Sequence, residues 1–149
     1  MNKNGPIIII EDDEDDQQFL KNVFTKLAYP NEVIFFSDGL EALAYLMKPS
    51  VIPFLILSDI NMPKLDGLEL RRKLKNDADL AIKCIPYLFF TTTGNQRAVI
   101  DAYSASAQGF FIKQYTMEKI EETISTIMKY WKMCETPNHS AAPDNNILL

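Results

Sequence analysis

The stretch Phe54-Leu55-Ile56-Leu57-Ser58-Asp59 sets an apolar run almost directly against a carboxylate, and that junction constrains the rest of the chain. Four apolar residues without polar alternation mark a strand covered on both faces, as in a parallel sheet. Asp59 then stands at the strand's carboxyl end, the edge where open α/β sheets bind their ligands. Pro63 keeps Met62 extended and delays the next helix, and Asp66-Gly67 is a turn signal that hands the chain on to it.

The same alternation recurs along the chain. Ile7–Ile10 is a second buried-strand run, ending on the acidic block Glu11-Asp12-Asp13-Glu14-Asp15-Asp16. Glu14, Asp15 and Asp16 read as solvated residues favourably placed at a helix N-terminus. Glu11 and Asp12 differ because they follow a buried strand at once. Phe19, Leu20, Val23, Phe24 and Leu27 predict a helix over about 14–28, and Val33–Phe36 the next strand. Asp38 caps a helix with the stripe Leu40, Leu43, Ala44 and Met47. After Gly67 a helix runs to about Asn76, its Arg71, Arg72, Lys73 and Lys75 reading as a solvated face, followed by a connection over 77–83.

Ile85–Phe90 is the fourth strand, ending on Thr91-Thr92-Thr93, and a helix less apolar than the others, expected to be the most mobile, follows over about 96–107. Gly109–Ile112 is the fifth strand and Lys113 its terminus. Thr116 caps a final helix with the stripe Met117, Ile120, Ile124, Ile127, Met128 and Trp131. Pro137, Pro143 and a polar mixture make residues 135–149 a flexible tail, leaving 1–134 as the domain.

Five strand–helix alternations imply right-handed crossovers around a parallel sheet with helices on both faces, in the flavodoxin-like, doubly wound order 2-1-3-4-5. That order brings Glu11 and Asp12 beside Asp59. A length of 149 residues with 47% hydrophobic content suits one domain. The net charge of -5 argues against nucleic-acid binding. No apolar run reaches the roughly 20 residues of a membrane span and no signal peptide opens the chain, which is expected to be cytoplasmic. Cys84 and Cys134 lack metal-ligand spacing and read as free thiols.

Glu11, Asp12 and Asp59 in one crevice crowd three negative charges together, which a divalent cation resolves. An all-oxygen donor set suits Mg²⁺, with Mn²⁺ also acceptable. With Lys113 contributing an ammonium, the formal charges of the group cancel. Such a site accepts a phosphoryl group: Asp59 attacks phosphorus, the cation and Lys113 stabilise the non-bridging oxygens, and the Thr91 hydroxyl adds a hydrogen bond.

The motifs E-D after the first strand, D-I-N-M-P-K-L-D-G after the third, F-F-T after the fourth and G-F-F-I-K around the fifth resemble the receiver domain of two-component response regulators, over roughly residues 6–132. By position, the resemblance implies Asp59 as phosphoacceptor, and Glu11 and Asp12 as the acidic metal pair, with Asp12 favoured of the two as direct ligand. It makes Asn61 a backbone-carbonyl ligand of Mg²⁺, Thr91 the switch hydroxyl, Lys113 the family lysine and Phe110 the switch aromatic. Asn61, Thr92 and Thr93 stand where access of a hydrolytic water is tuned.

The family usually has Lys-Pro with a cis peptide where this chain has Lys113-Gln114. A cis bond before a non-proline residue costs about 2.5–4 kcal/mol, so a trans bond is expected here.

A stand-alone receiver of this kind takes its phosphoryl group from a histidine kinase or a histidine phosphotransfer protein. It then acts through a separate, unidentified downstream protein, with neither nucleic acid nor membrane as a partner. Phosphorelay, chemotaxis-like and phytochrome-associated roles are all implied, as is homodimerisation through the face built from the fourth predicted helix, fifth strand and final helix. Self-catalysed phosphotransfer and dephosphorylation would be weak.

The competing readings fare worse. An aspartate-nucleophile phosphatase wants a second acid two residues after the nucleophile, where Asn61 stands, and a cap over its substrate. A flavin carrier wants a hydroxyl- and Gly-rich loop after the first strand. An EF-hand fails on Pro63 and Lys64, and a Ser-His-Asp triad would need His139, the only histidine, in the tail. A phosphate-independent binding module is disfavoured by the presence of both Asp59 and Lys113.

Overall fold

The structure, a computed structural model, describes residues 1–92 and 94–137. In chain order its elements are β1 (Ile7–Ile10), α1 (Glu14–Leu27), β2 (Val33–Phe36), α2 (Gly39–Leu46), β3 (Leu55–Ser58), α3 (Gly67–Asn76), α4 (Ala78–Ala81), β4 (Tyr87–Thr91), α5 (Gln96–Ser104), β5 (Gly109–Ile112) and α6 (Met117–Met133). All strand pairs are parallel, in the expected order β2-β1-β3-β4-β5. Ile10 pairs with both Phe36 and Ser58, and Thr91 pairs with Ile112. The strand ends that carry the acidic residues and Lys113 therefore face one edge.

Strand residues alternate between two apolar layers. Ile7, Ile9, Leu55, Leu57, Leu88 and Phe90 pack with Leu20, Val23 and Phe24 of α1 and Ile120, Ile124 and Ile127 of α6. Ile8, Ile10, Ile56, Tyr87 and Phe89 face the opposite layer, with Ala42 and Leu46 of α2, Leu70 and Leu74 of α3, and Ala102 of α5. Each buried Ile, Leu, Val or Phe of these layers contributes about 1.5–3 kcal/mol by leaving water. The central strand needs apolar residues on both faces, which is why its sequence shows no alternation.

Helix starts follow local chemistry. The carboxylates of Asp13, Asp38, Asp66 and Asp77 and the Thr116 hydroxyl each accept a backbone N–H three residues on. Asp38 and Thr116 cap as expected. α1 ends where Ala28 turns left-handed at φ 56°.

Five local expectations differ from the structure. In α2 the core-facing residues are Ala42 and Leu46, while Leu40, Ala44 and Met47 of the expected stripe are exposed, the helix being rotated about its axis. The connection over 77–83 contains a one-turn helix, α4, because Asp77 caps it. The fourth strand begins at Tyr87 rather than Ile85, since Pro86 brings no N–H to the ladder, and it extends through Thr91 by pairing with Ile112. α5 stops at Ser104, not near 107. The cause lies in Arg71, which folds back instead of joining the solvated face: its Nε and Nη2 donate to the carbonyls of Ala105 and Ser106 at 3.0 and 2.9 Å. Ser106 adopts φ 62° there, so the guanidinium caps the helix end. The expected tail, 135–149, and His139 lie largely or wholly outside the described residues, as does Thr93.

Candidate functional site: a carboxylate and lysine crevice

The sheet's carboxyl edge builds the crevice from backbone outward. The Asp59 N–H donates to the Ile10 carbonyl at 3.0 Å, and the Glu11 N–H to Phe36 at 2.9 Å. The Lys113 N–H donates to the Thr91 carbonyl at 2.9 Å. The ladder thus continues one residue past the strands and holds the three functional backbones in place.

The loop after β3 is fixed from two sides. Ser58 Oγ donates to the Asp59 carbonyl at 2.7 Å, and the Gly67 N–H donates to the Ile60 carbonyl at 2.8 Å. A Cβ at Gly67 would lie 2.1 Å from the Asp59 carbonyl oxygen. Gly67 is therefore required by close approach and, having no positive φ, not by turn geometry. The left-handed residue of this loop is Lys64, at φ 66°, and its ammonium lies 3.5 Å from the Asp38 carboxylate.

Lys113 is the hub. Its buried ammonium donates to Glu11 Oε2, to Asp16 Oδ2 at 3.0 Å and to Asp59 Oδ2 at 3.2 Å. Burial alone would lower its pKa, but the Glu11, Asp59 and Asp16 charges outweigh it and hold Lys113 well above the ordinary lysine range. Glu11 is almost fully buried, and that burial raises its carboxyl to about 7 despite opposing help from Lys113 and the Asp13 N–H. Asp59 is half-buried, and its Oδ1 accepts the Ile60 N–H at 2.7 Å.

Glu11, Asp12 and Asp59 each bring one carboxylate oxygen within 4.8 Å of the others. This compact all-oxygen set, part buried and part open, fits a hard divalent cation that keeps some of its water. Asp12 is exposed beside it, and so is Asn61, two residues beyond Asp59. Thr91 is fully buried at the end of β4. Thr92 is exposed. Phe110 on β5 is half-buried, its ring centroid 6.1 Å from that of Phe89. No described peptide bond is cis, so Lys113-Gln114 is trans.

Sequence reasoning brought Glu11, Asp12, Asp59 and Lys113 together, and the structure does the same. It missed Asp16, read as merely solvated. No local signal singles it out, because its carboxylate reaches Lys113, 97 residues on, while the Asp13 N–H is taken by Glu11.

The sequence profile of the response regulator receiver domain matches residues 7–125. The response regulator Rcp1 of Synechocystis sp. is 31% identical over 130 residues, covering 84% of this chain and 87% of Rcp1. Chemotaxis protein CheY-3 of Vibrio cholerae is 29% identical over 129 residues, covering 87% of this chain and 95% of its own. The phosphorylated cyanobacterial phytochrome response regulator RcpA superposes with a TM-score of 0.80 at 27% identity, over 91% of this chain and 99% of that one. The Mn²⁺-bound form of Rcp1 gives 0.78 at 29% identity, over 89% and 99%. Among the described residues no helix is long and apolar enough to cross a membrane. Profile, relatives and fold agree over nearly the whole sheet, and the chain belongs to the response regulator receiver domain family, a signalling domain and not an enzyme in the ordinary sense.

Proposed function

We propose that Asp59 is the phosphoacceptor of this receiver domain, working in the cytoplasm. The observation that carries this reading is the placement of the Lys113 ammonium 3.2 Å from Asp59 Oδ2, beside a carboxylate trio with the donor chemistry for a divalent cation. The phosphorylated state of RcpA and the Mn²⁺ of Rcp1 support it by likeness.

Glu11, Asp12, Asp59 and the Asn61 carbonyl would hold Mg²⁺. When bound, the cation neutralises charge on the carboxylates and on the incoming phosphoryl oxygens. An Asp59 oxygen forms the new O–P bond while the P–N bond of a phosphohistidine donor breaks. Its electron pair leaves with the imidazole nitrogen, which takes a proton, and the product is an acyl phosphate. Lys113 stabilises the phosphoryl oxygens electrostatically, and the Thr91 hydroxyl supplies a hydrogen bond. Water later cleaves the acyl phosphate with weak assistance from the same groups, Asn61, Thr92 and Thr93 setting its access.

The donor is a histidine kinase or a histidine phosphotransfer protein. Output passes to a separate protein, or to a second copy, through α5, β5 and α6, where Ile100, Tyr103 and Ile112 are exposed. Phe110 connects the site to that surface. It lacks a hydroxyl, so its two positions differ by packing alone. Transfer from a histidine-phosphorylated donor to this chain, absent in Asp59→Asn, tests the reading; transfer that survives Asp59→Asn contradicts it.

A further inference from the structure

The crevice holds one carboxylate more than acceptance of a phosphoryl group requires. Asp16 Oδ2 lies 3.0 Å from the Lys113 ammonium, slightly nearer than Asp59 at 3.2 Å. A lysine ammonium has three N–H donors, and here Glu11, Asp16 and Asp59 take one each. None is spare for a phosphoryl oxygen.

Asp16 is also fixed in place. Its N–H donates to the capping carboxylate of Asp13 at 2.9 Å, and the Asp13 N–H donates to Glu11 Oε1 at 3.0 Å. The first turn of α1 is thereby tied to the cluster it serves. Asp16 and Lys113 together line a cavity of about 140 Å³ whose walls include Phe19, Phe90 and Tyr115. The recess is open to water, with Tyr115 96% and Phe19 48% exposed, and Asp16 itself is 39% exposed, so the pair has the strength of a partly screened ion pair.

Of the three partners of Lys113, Glu11 and Asp59 belong to the trio able to hold a cation, and Asp16 does not. Once a cation engages the trio, Asp16 remains as the carboxylate with no other claim on it. With Asp16 included, four carboxylates face a divalent cation and one ammonium, leaving a net negative charge where a phosphoryl group must sit.

We propose that Asp16 is a positioning residue that competes with the phosphoryl group for the Lys113 ammonium and so limits how tightly this receiver retains phosphoryl. The proposal rests on Asp59 being the phosphoacceptor.

The test measures two affinities: Mg²⁺ alone, and beryllofluoride, a phosphoryl mimic, at saturating Mg²⁺. Asp16→Asn should tighten beryllofluoride about fivefold, the upper range for a partly exposed ion pair, and leave Mg²⁺ binding unchanged or weaker. Asp16→Glu should restore weaker beryllofluoride binding. Asp16→Ser serves if the Asn variant melts at a lower temperature than the parent. Beryllofluoride affinity that is unchanged or weaker in folded variants overturns the proposal, as does equal tightening of both ligands. Failure of the unaltered protein to bind beryllofluoride overturns the phosphoacceptor reading first and this proposal with it.

Discussion

The Lys113 ammonium at the end of β5 lies 3.2 Å from the Asp59 carboxylate at the end of β3, across the intervening strand β4. The same ammonium is the countercharge of Glu11, a carboxylate only 2% exposed. Removing it should therefore act on stability as well as on chemistry. Glu11 has a folded pKa of about 7 against 4.5 for a free side chain. The native state thus binds the extra proton between those values, and ionising Glu11 costs stability as pH rises through that window. Lys113→Ala should destabilise by about 3–5 kcal/mol at pH 8, where the variant must either keep Glu11 charged without its partner or protonate it at a cost. The loss should be clearly smaller at pH 5, as read by urea denaturation at both values.

The same titration governs cation binding. In the proposed site Glu11 helps to hold the cation, and a metal ligand must be deprotonated, so Mg²⁺ should compete with the Glu11 proton below about pH 7. Apparent Mg²⁺ affinity should rise by up to about tenfold per pH unit below that value and level off above pH 8. Calorimetry in buffers of different ionisation enthalpy should detect proton release on binding at pH 6.5 and little at pH 8.5.

Gly67 packs against the backbone of the phosphoacceptor loop, where a Cβ would lie 2.1 Å from the Asp59 carbonyl oxygen. Gly67→Ala should cost about 1–3 kcal/mol by overpacking and should displace Asp59. Denaturant midpoint and the yield of phosphorylated protein should fall together. A variant of parental stability and full yield would contradict the close approach.

Arg71 holds two carbonyls at the end of α5 through one guanidinium. Arg71→Ala should destabilise by about 1–3 kcal/mol, the range for groups left without a charged hydrogen-bond partner. It should also speed hydrogen exchange at Ser106 and Ala107. Arg71→Lys should recover little, because an ammonium lacks the planar fork that spans two acceptors.

Phe110 is half-buried against the apolar layer that includes Phe89 and Ala102. Phe110→Ala should change affinity for the downstream partner several-fold while phosphorylation proceeds. Loss of phosphorylation itself would count against a packing switch.

What the sequence made legible follows from how local its causes are. The run Ile7–Ile10 and the run ending at Asp59 announce buried parallel strands, because only doubly covered strands lack alternation. Once the strand order is set, the meeting of Glu11, Asp12, Asp59 and Lys113 is geometric necessity. Asp38 and Thr116 cap helices through contacts three residues long, which spacing displays directly.

Other features depend on distant contacts. Arg71 looked like part of a solvated face, yet its carbonyl partners stand 34 and 35 residues away. Lys83 sat in an expected connection, yet its buried ammonium donates to the carbonyls of Leu46, Lys48 and Val51. Asp16 belonged to a block whose other helical acids are exposed, and only the position of Lys113, 97 residues on, distinguishes it.

The measurement that tests the central claim most directly is the intact mass of the protein after incubation with Mg²⁺ and acetyl phosphate, beside Asp59→Asn and a chelated control. The account predicts one labile phosphoryl adduct on the unaltered chain and none in either control. An adduct of equal yield on Asp59→Asn, or one that forms equally well without the cation, would contradict it.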